Sequence, residues 1–290
     1  HKLAPRGISG YNARGMAEQS VAAPGQRPPW LKLLERPLEV LGELFLFAAQ
    51  SILAIFRRPW RIGLLMVQLD FMAYGSMFVV GLTGLFTGMV LALQTVYAFG
   101  LFNAQSLVGA TVEISLAREL APIFTCIVLV ARVGSAAATE LGTMRVTEQI
   151  DALETMAVDP LNYLVVPRVV AAGLAAPLLT MLFNAIALFG AYGIAVWVKD
   201  LSPGTFLNRI QYLVEVKDIT NGLGKASLIG FVVTMIACYR GYRATGGARG
   251  VGIATTQAVV GGLVAIFAID YVYTAISLSG PQQAAGGLGG

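Results

Sequence analysis

The feature that most constrains this chain is the near absence of charge over long stretches. Between Arg61 and Glu113 the only charged residue is Asp70, although one crossing of a bilayer needs only about 20 apolar residues. Charged residues make up 12% of the chain, against about 25% in a typical soluble domain. A chain this poor in charge cannot cover its surface with groups that water favours. The sequence therefore predicts an all-α membrane protein.

Long apolar runs predict about five transmembrane helices. Their expected ranges are 71–96, 108–131, 169–198, 226–239 and 251–278. We expect a turn at 100–106, a polar interval at 134–167, and a second polar interval at 199–225 with a short helix near 206–216. Pro177 is expected to kink or break the third span.

The two ends of the chain read differently from its centre. Residues 1–15 are polar and aperiodic, so we interpret them as a remnant of an expression vector, with the native start at Met16. Residues 16–29 are expected to be a flexible lead-in, and the Gly-rich residues 280–290 a disordered tail. Residues 30–61 predict an amphipathic helix in the membrane interface. The alternative is an ordinary helix packed on the bundle.

Arginines recur after alternate spans, which predicts the orientation. If there are five spans, one side of the membrane carries most of the arginines. The other side has only Lys199, Arg209, Lys217 and Lys225. The positive-inside rule places the arginine-rich side in the cytoplasm. The amino terminus is then inside and the carboxyl terminus outside. The arginines of the cytoplasmic side are Arg57, Arg58, Arg61, Arg132, Arg145, Arg168, Arg240, Arg243 and Arg249.

The second span contains Glu113, Arg118 and Glu119. Each charge at bilayer depth costs at least ~2.5 kcal/mol on insertion scales. Arg118 can pair with Glu119, with Glu113 or with a group on another span, and Lys225 and Asp270 are further candidates. These ions form either a structural network that fixes helix packing or a polar site in a cavity that meets a substrate headgroup.

The polar interval after the second span predicts a short helix over 147–157. Ile150, Leu153 and Ala157 lie on one side, and acidic residues cover the other. Such a helix suits docking of a partner protein. The alternative is a solvated loop helix with ordinary charges.

Motifs for enzymatic chemistry are missing from the sequence. No phosphate-binding loop with the Gly-x-x-x-x-Gly-Lys-Ser/Thr spacing is present, so we expect no ATPase site in this chain. The single histidine is His1, and Cys126 and Cys238 fall in apolar stretches without metal-ligand spacing. We therefore expect neither a metal nor a bound cofactor.

Several ordered segments resemble one family. The chain is similar to the MlaE-type permeases, which include the YrbE proteins and their chloroplast relatives, over roughly residues 37–278, and this makes 62–279 the permease domain. The segments that carry the resemblance are Ser115–Pro122, Ala131–Ala136, Glu140–Leu153, Met156–Pro160 and Asp270–Ala275.

This resemblance implies a homodimeric permease of an ATP-binding-cassette transporter in the bacterial inner membrane, which moves phospholipid between that membrane and the outer envelope. The implied partners are a cytoplasmic ATPase dimer, which binds ATP and Mg, a periplasmic hexameric ring of MCE domains and, in some systems, a STAS-domain subunit. The implied coupling helix, which contacts the ATPase, consists of Glu148, Gln149, Ile150, Asp151, Ala152, Leu153 and Glu154.

The resemblance also implies a lipid site between two protomers. In this chain its residues are Leu91, Gln94, Ala98, Phe99, Phe102, Arg118 and Glu119, with Lys225 and Asp270 nearby. Phe102 stands where some relatives have tyrosine, so it lacks a hydroxyl for a headgroup. From the residues alone, the apolar members could equally face bulk lipid.

Two other functions stay open. The buried acids could serve as a proton relay in a secondary transporter, although no inverted repeat is visible. Alternatively, the chain could be a non-transporting scaffold for an ATPase and a periplasmic ring.

Overall fold

The computed structural model describes residues 29–56 and 61–279, and every regular element in those ranges is helical. The predictions for 1–15, for most of 16–29 and for 280–290 lie outside the described residues. The helices are α1 (Pro29–Ile55), α2 (Ile62–Gly100), α3 (Gln105–Val146), α4 (Gln149–Thr155), α5 (Leu161–Val198), α6 (Pro203–Leu213), α7 (Val216–Tyr242) and α8 (Gly247–Ser279).

Five of these helices, α2, α3, α5, α7 and α8, are long and apolar enough to cross a membrane. This confirms the all-α membrane class and the predicted number of spans. Pro177 lies inside α5 without breaking it, since the helix continues on both sides. The protein is thus a multi-pass membrane protein.

Two of the membrane-spanning helices are longer than the apolar runs from which they were predicted. Helix α2 begins at Ile62 instead of near residue 71, and α3 continues to Val146 through the first part of the predicted polar interval. The prediction was wrong there because hydropathy marks the hydrocarbon layer and not the helix end. Residues 135–138 read Ser-Ala-Ala-Ala, and alanine is the strongest helix former, so the helix continues into the polar sequence.

Two other spans also begin before their predicted ranges. Helix α5 begins at Leu161 instead of 169. Helix α7 begins at Val216 instead of 226, where Glu215 and Asp218 form a capping box. Reciprocal capping satisfies orphan backbone N–H groups at a helix start. The polar residues after Glu215 therefore belong to the span's helix and not to a loop.

The short helices are displaced or shorter than predicted. Helix α4 covers 149–155 instead of 147–157, because Glu148 and Ala157 both have φ of 59° and so cannot continue a right-handed helix. Helix α6 begins at Pro203, a residue favoured at the first helical position, and ends where Val214 is extended.

The chain divides into two compact units, one ending at Glu43 and the other beginning at Leu44. Within the second unit the last turns of α1 bury Phe47, whose ring centroid is 5.6 Å from that of Tyr239 on α7. Phe45, Leu46 and Leu53 on the same segment are exposed. This segment therefore has one apolar face against the bundle and another left uncovered, and its interfacial location stays a prediction.

Helix α7 lies at the centre of the second unit, where it packs against α3, α5 and α8, while α2 packs along α5. The contact between α2 and α5 is close because Gly88 faces the Ala187 backbone, where a Cβ would overlap the carbonyl oxygen. Helices α2 and α8 leave apolar faces exposed, including Phe78, Phe86 and Phe267. These uncovered faces are available to lipid or to a partner.

Candidate functional site

Lys225 is the centre of an ion cluster built from three spans. Its side chain is 3% exposed, and its Nζ lies 2.7 Å from Glu119 Oε2 on α3 and 2.9 Å from Asp270 Oδ1 on α8. The ammonium also donates to Thr274 Oγ1 at 2.8 Å, and the Thr274 hydroxyl donates to Glu119 Oε1 at 3.1 Å. A buried ammonium is tolerated only when it is paired and hydrogen-bonded in this way.

The cluster has an unequal charge count. One ammonium faces two carboxylates, so with all three groups ionised it carries one negative charge. Glu119 is also the most accessible of the three, with a side chain 38% exposed. The cluster can therefore present a carboxylate toward whatever occupies the space beside α3.

Arg118 points away from this cluster and pairs with Asp218 on α7. Its Nη2 lies 2.6 Å from Asp218 Oδ1, and its Nε donates to the same oxygen at 2.8 Å. Of the pairings left open by the sequence, the one with a group on another span is therefore confirmed, and those with Glu119 and Glu113 are not formed. Arg118 and Glu119 lie in a π-helical segment, Leu116–Leu120, and such wider turns often occur at functional sites.

Glu113 has a different partner on α5. Glu113 is buried, with 4% of the residue exposed, and Asn184 Nδ2 donates to Glu113 Oε1 at 2.7 Å. Glu113 Oε2 and Asn184 Oδ1 are both buried without a hydrogen-bond partner in the described part of the chain. Glu113 thus stands apart from the Lys225 cluster.

An open groove of about 450 Å³ lies between α2 and α3. Leu91 and Gln94 line it from α2, and Leu120 and Phe124 line it from α3. Because Leu120 follows Glu119 directly, the groove and the ion cluster meet at consecutive positions of α3. The groove is mostly apolar and has the shape and chemistry for an acyl chain.

The other predicted site residues of this region lie outside the lining of that groove. Ala98 is exposed, Phe99 is partly buried against the core, and Phe102 is 79% exposed beyond the end of α2. None of the three lines the groove that contains Leu91 and Gln94. Their place in a lipid site therefore stays a prediction.

Helix α4 is attached to the bundle by one buried side chain and by two polar contacts. Ile150 is fully buried, whereas Glu148, Gln149, Asp151, Ala152 and Glu154 are exposed and Leu153 is intermediate. Arg145 pairs with Asp151 at 2.5 Å, and the Tyr242 hydroxyl donates to Glu154 at 3.3 Å. The side of the helix that carries Ile150 packs against the bundle, and its exposed side carries acidic residues.

Comparison with known proteins identifies the family. Residues 65–276 match the family described as Permease MlaE. The chain belongs to the MlaE permease family. The matched range contains the Lys225 cluster, the α2–α3 groove and helix α4, so all three are features of an MlaE permease.

Relatives of this MlaE permease cover most of its length. A probable ABC transporter permease protein of Rickettsia bellii is 39% identical over 239 residues, 82% of this chain and 92% of that protein. The intermembrane phospholipid transport system permease protein MlaE of Haemophilus influenzae is 38% identical over 73% of this chain and 82% of its own length. The chloroplast protein TRIGALACTOSYLDIACYLGLYCEROL 1 of Arabidopsis thaliana is 35% identical over 81% and 67%.

Three partners in this MlaE permease were missed by sequence reasoning: Asp218, Asn184 and Thr274. The pattern Glu215-x-x-Asp218 before an apolar run could have predicted a helix start there. Asp218 would then have been placed in the first turn of α7. Thr274 follows Asp270 by four residues, and residues four apart share one face of a helix. No comparable local signal marks Asn184.

Proposed function

We propose that this chain is the homodimeric permease subunit of an ATP-binding-cassette transporter that moves phospholipid between the inner membrane and the outer envelope. The observation that carries the proposal is the family membership of residues 65–276. One relative in that family is named as a phospholipid transport permease, and the matched range holds both the groove and the acidic helix α4.

In the proposed mechanism, two copies enclose a lipid cavity. Leu91, Gln94, Ala98, Phe99 and Phe102 would line it with apolar surface, and the exposed faces of α2 support a partner surface there. Arg118 and Glu119 would form its polar lining, while Lys225 pairs with Glu119 and Asp270 pairs with Lys225. A phosphate headgroup would be met by the half-exposed Arg118 guanidinium.

The ATPase would act on the permease through helix α4. A cytoplasmic ATPase dimer, which binds ATP and Mg, would contact residues Glu148–Glu154, and its closure would shift the permease between two arrangements. The buried Ile150 supports this role because it ties α4 to the bundle. A periplasmic hexameric MCE-domain ring, and in some systems a STAS-domain subunit, would complete the assembly. The amino terminus would be cytoplasmic and the carboxyl terminus periplasmic.

The test replaces Glu148, Asp151 and Glu154 together by lysine in the complete reconstituted complex. Co-purification of the ATPase and ATP-dependent lipid transfer are measured. Both are expected to fall, because the acidic surface of α4 is reversed while Ile150 keeps the helix seated. The matched control is Lys217→Glu, an exposed charge at the start of α7, which should leave both unchanged.

The outcomes also separate the other candidate functions. Transfer that stops when the proton gradient is dissipated, and that needs no ATPase, would favour a secondary transporter. An assembled complex that hydrolyses ATP without moving lipid would favour a scaffold. Unchanged ATPase binding in the triple variant would contradict the role proposed for α4.

A further inference from the structure

A second apolar pocket, of about 190 Å³, lies where the end of α1 and the first turns of α2 and α5 meet. Ile55, Leu65, Val166 and Val170 supply apolar lining. Arg61 and Asn162 are its polar members. The pocket therefore combines an apolar interior with two groups able to donate hydrogen bonds.

Arg61 is held in a defined position. Its guanidinium carbon lies 4.4 Å from the centroid of the Tyr163 ring, a cation–π contact. The side chain is exposed, and no carboxylate in the described ranges forms an ion pair with it. The positive charge is thus positioned by an aromatic ring and left open to an anion.

The pocket lies at the ends of spans and not along them. Arg61 directly precedes the first residue of α2, and Asn162 is the second residue of α5. In the proposed orientation this is the cytoplasmic boundary of the membrane. Anionic lipid headgroups of that leaflet lie at this depth and attract basic side chains near the surface.

We propose that this pocket binds an anionic phospholipid of the cytoplasmic leaflet. Its phosphate accepts hydrogen bonds from Arg61 and Asn162, and part of one acyl chain lies against Leu65, Val166 and Val170. The guanidinium favours a headgroup with net negative charge over a zwitterionic one, and the apolar lining favours an acyl chain. The proposal rests on the cytoplasmic orientation in the proposed function but not on lipid transport itself.

The test uses the assembled complex in phosphatidylcholine nanodiscs that contain a trace of phosphatidylglycerol with a photoactivatable acyl chain. Labelled residues are mapped by mass spectrometry. Labelling is expected at Val166 and Val170, and Arg61→Ala should reduce it about fivefold, the change that corresponds to one basic residue near an anionic surface. The matched control is Arg249→Ala, another exposed arginine on the same proposed side, which should leave labelling unchanged.

Two further variants distinguish lipid binding from a structural effect of Arg61. Tyr163→Leu removes the ring that positions the guanidinium and should also lower labelling, while Val170→Phe fills the pocket and should exclude the acyl chain with Arg61 intact. Equal labelling by photoactivatable phosphatidylcholine, or unchanged labelling in Arg61→Ala, would overturn the proposal. ATP-dependent transfer is measured in parallel, so a failure of transport with labelling preserved concerns only the proposed function.

Discussion

Several charged side chains within the spans are paired with groups on another helix. Lys225 is held by α3 and α8, and Arg118 is held by α7. Removing one member of a buried ion pair typically costs about 3–5 kcal/mol, because the other charge is left uncompensated. A few ion pairs therefore help to fix the positions of α3, α7 and α8 relative to one another.

Glu113 and Asn184 allow a test at the level of a single hydrogen bond. Asn184→Leu removes the donor to a buried carboxyl group, and we expect the free energy of unfolding to fall by about 1–3 kcal/mol. Glu113→Gln should be tolerated, since a glutamine amide can accept from Asn184 and also donate to its unpaired Oδ1. Chemical unfolding in detergent micelles measures both.

Asn208→Leu is the matched control, because Asn208 is exposed on α6. It should leave stability close to that of the parent chain. A Glu113→Gln variant as unstable as Asn184→Leu would show that a negative charge at position 113 is required, contrary to this account.

At the scale of elements, the close contact between α2 and α5 depends on glycine. An added Cβ at Gly88 would overlap the Ala187 carbonyl oxygen, whereas nothing lies within 4 Å of a Cβ at Gly63 on the same helix. We expect Gly88→Ala to force the helices apart and lower the thermal unfolding temperature. Gly63→Ala should be neutral or stabilise by about 0.5–1 kcal/mol, because alanine favours the helix.

Thermal unfolding of the two purified variants, followed by helical circular dichroism, checks this pair. The comparison is internal because both changes add one methyl group to α2. Equal unfolding temperatures would mean that α2 and α5 do not pack through Gly88.

The sequence predicted the elements better than their ends or their contacts. Five spans followed from apolar runs, since only a helix satisfies its own backbone in lipid. The ends of α3 and α7 could not be predicted in this way, because both helices continue into polar sequence. The Arg118–Asp218 pair joins residues 100 positions apart, and Asp218 lay in an interval that hydropathy assigned to a loop.

The candidate site shows the same division. Lys225 and Asp270 could be singled out as charges near or within predicted spans. That Glu119 and Asp270 both pair with Lys225 depends on how α3, α7 and α8 pack. The resemblance to MlaE permeases indicated the groove residues, and Leu91 and Gln94 do share a groove. Ala98 and Phe102 do not line that groove, and their part in a lipid site stays a prediction.

For the whole molecule, we propose that the ions within the spans serve a lipid path driven by a separate ATPase. The uncovered apolar faces of α2 and α8 leave room for a second copy and for lipid. Glu119 of the ion cluster and Leu120 of the groove are consecutive residues of α3. In the proposed mechanism, the ATPase would act on helix α4, which lies at a different part of the chain.

The most direct measurement is the initial rate of ATP-dependent phospholipid transfer by the reconstituted complex carrying Arg118→Ala and Glu119→Ala. Assembly is verified by co-purification of the ATPase, and Lys217→Ala serves as the control. The account predicts a fall of about tenfold or more, since charge-assisted hydrogen bonds contribute about 1.5–3 kcal/mol each. An assembled double variant that transfers lipid at the parent rate would contradict it.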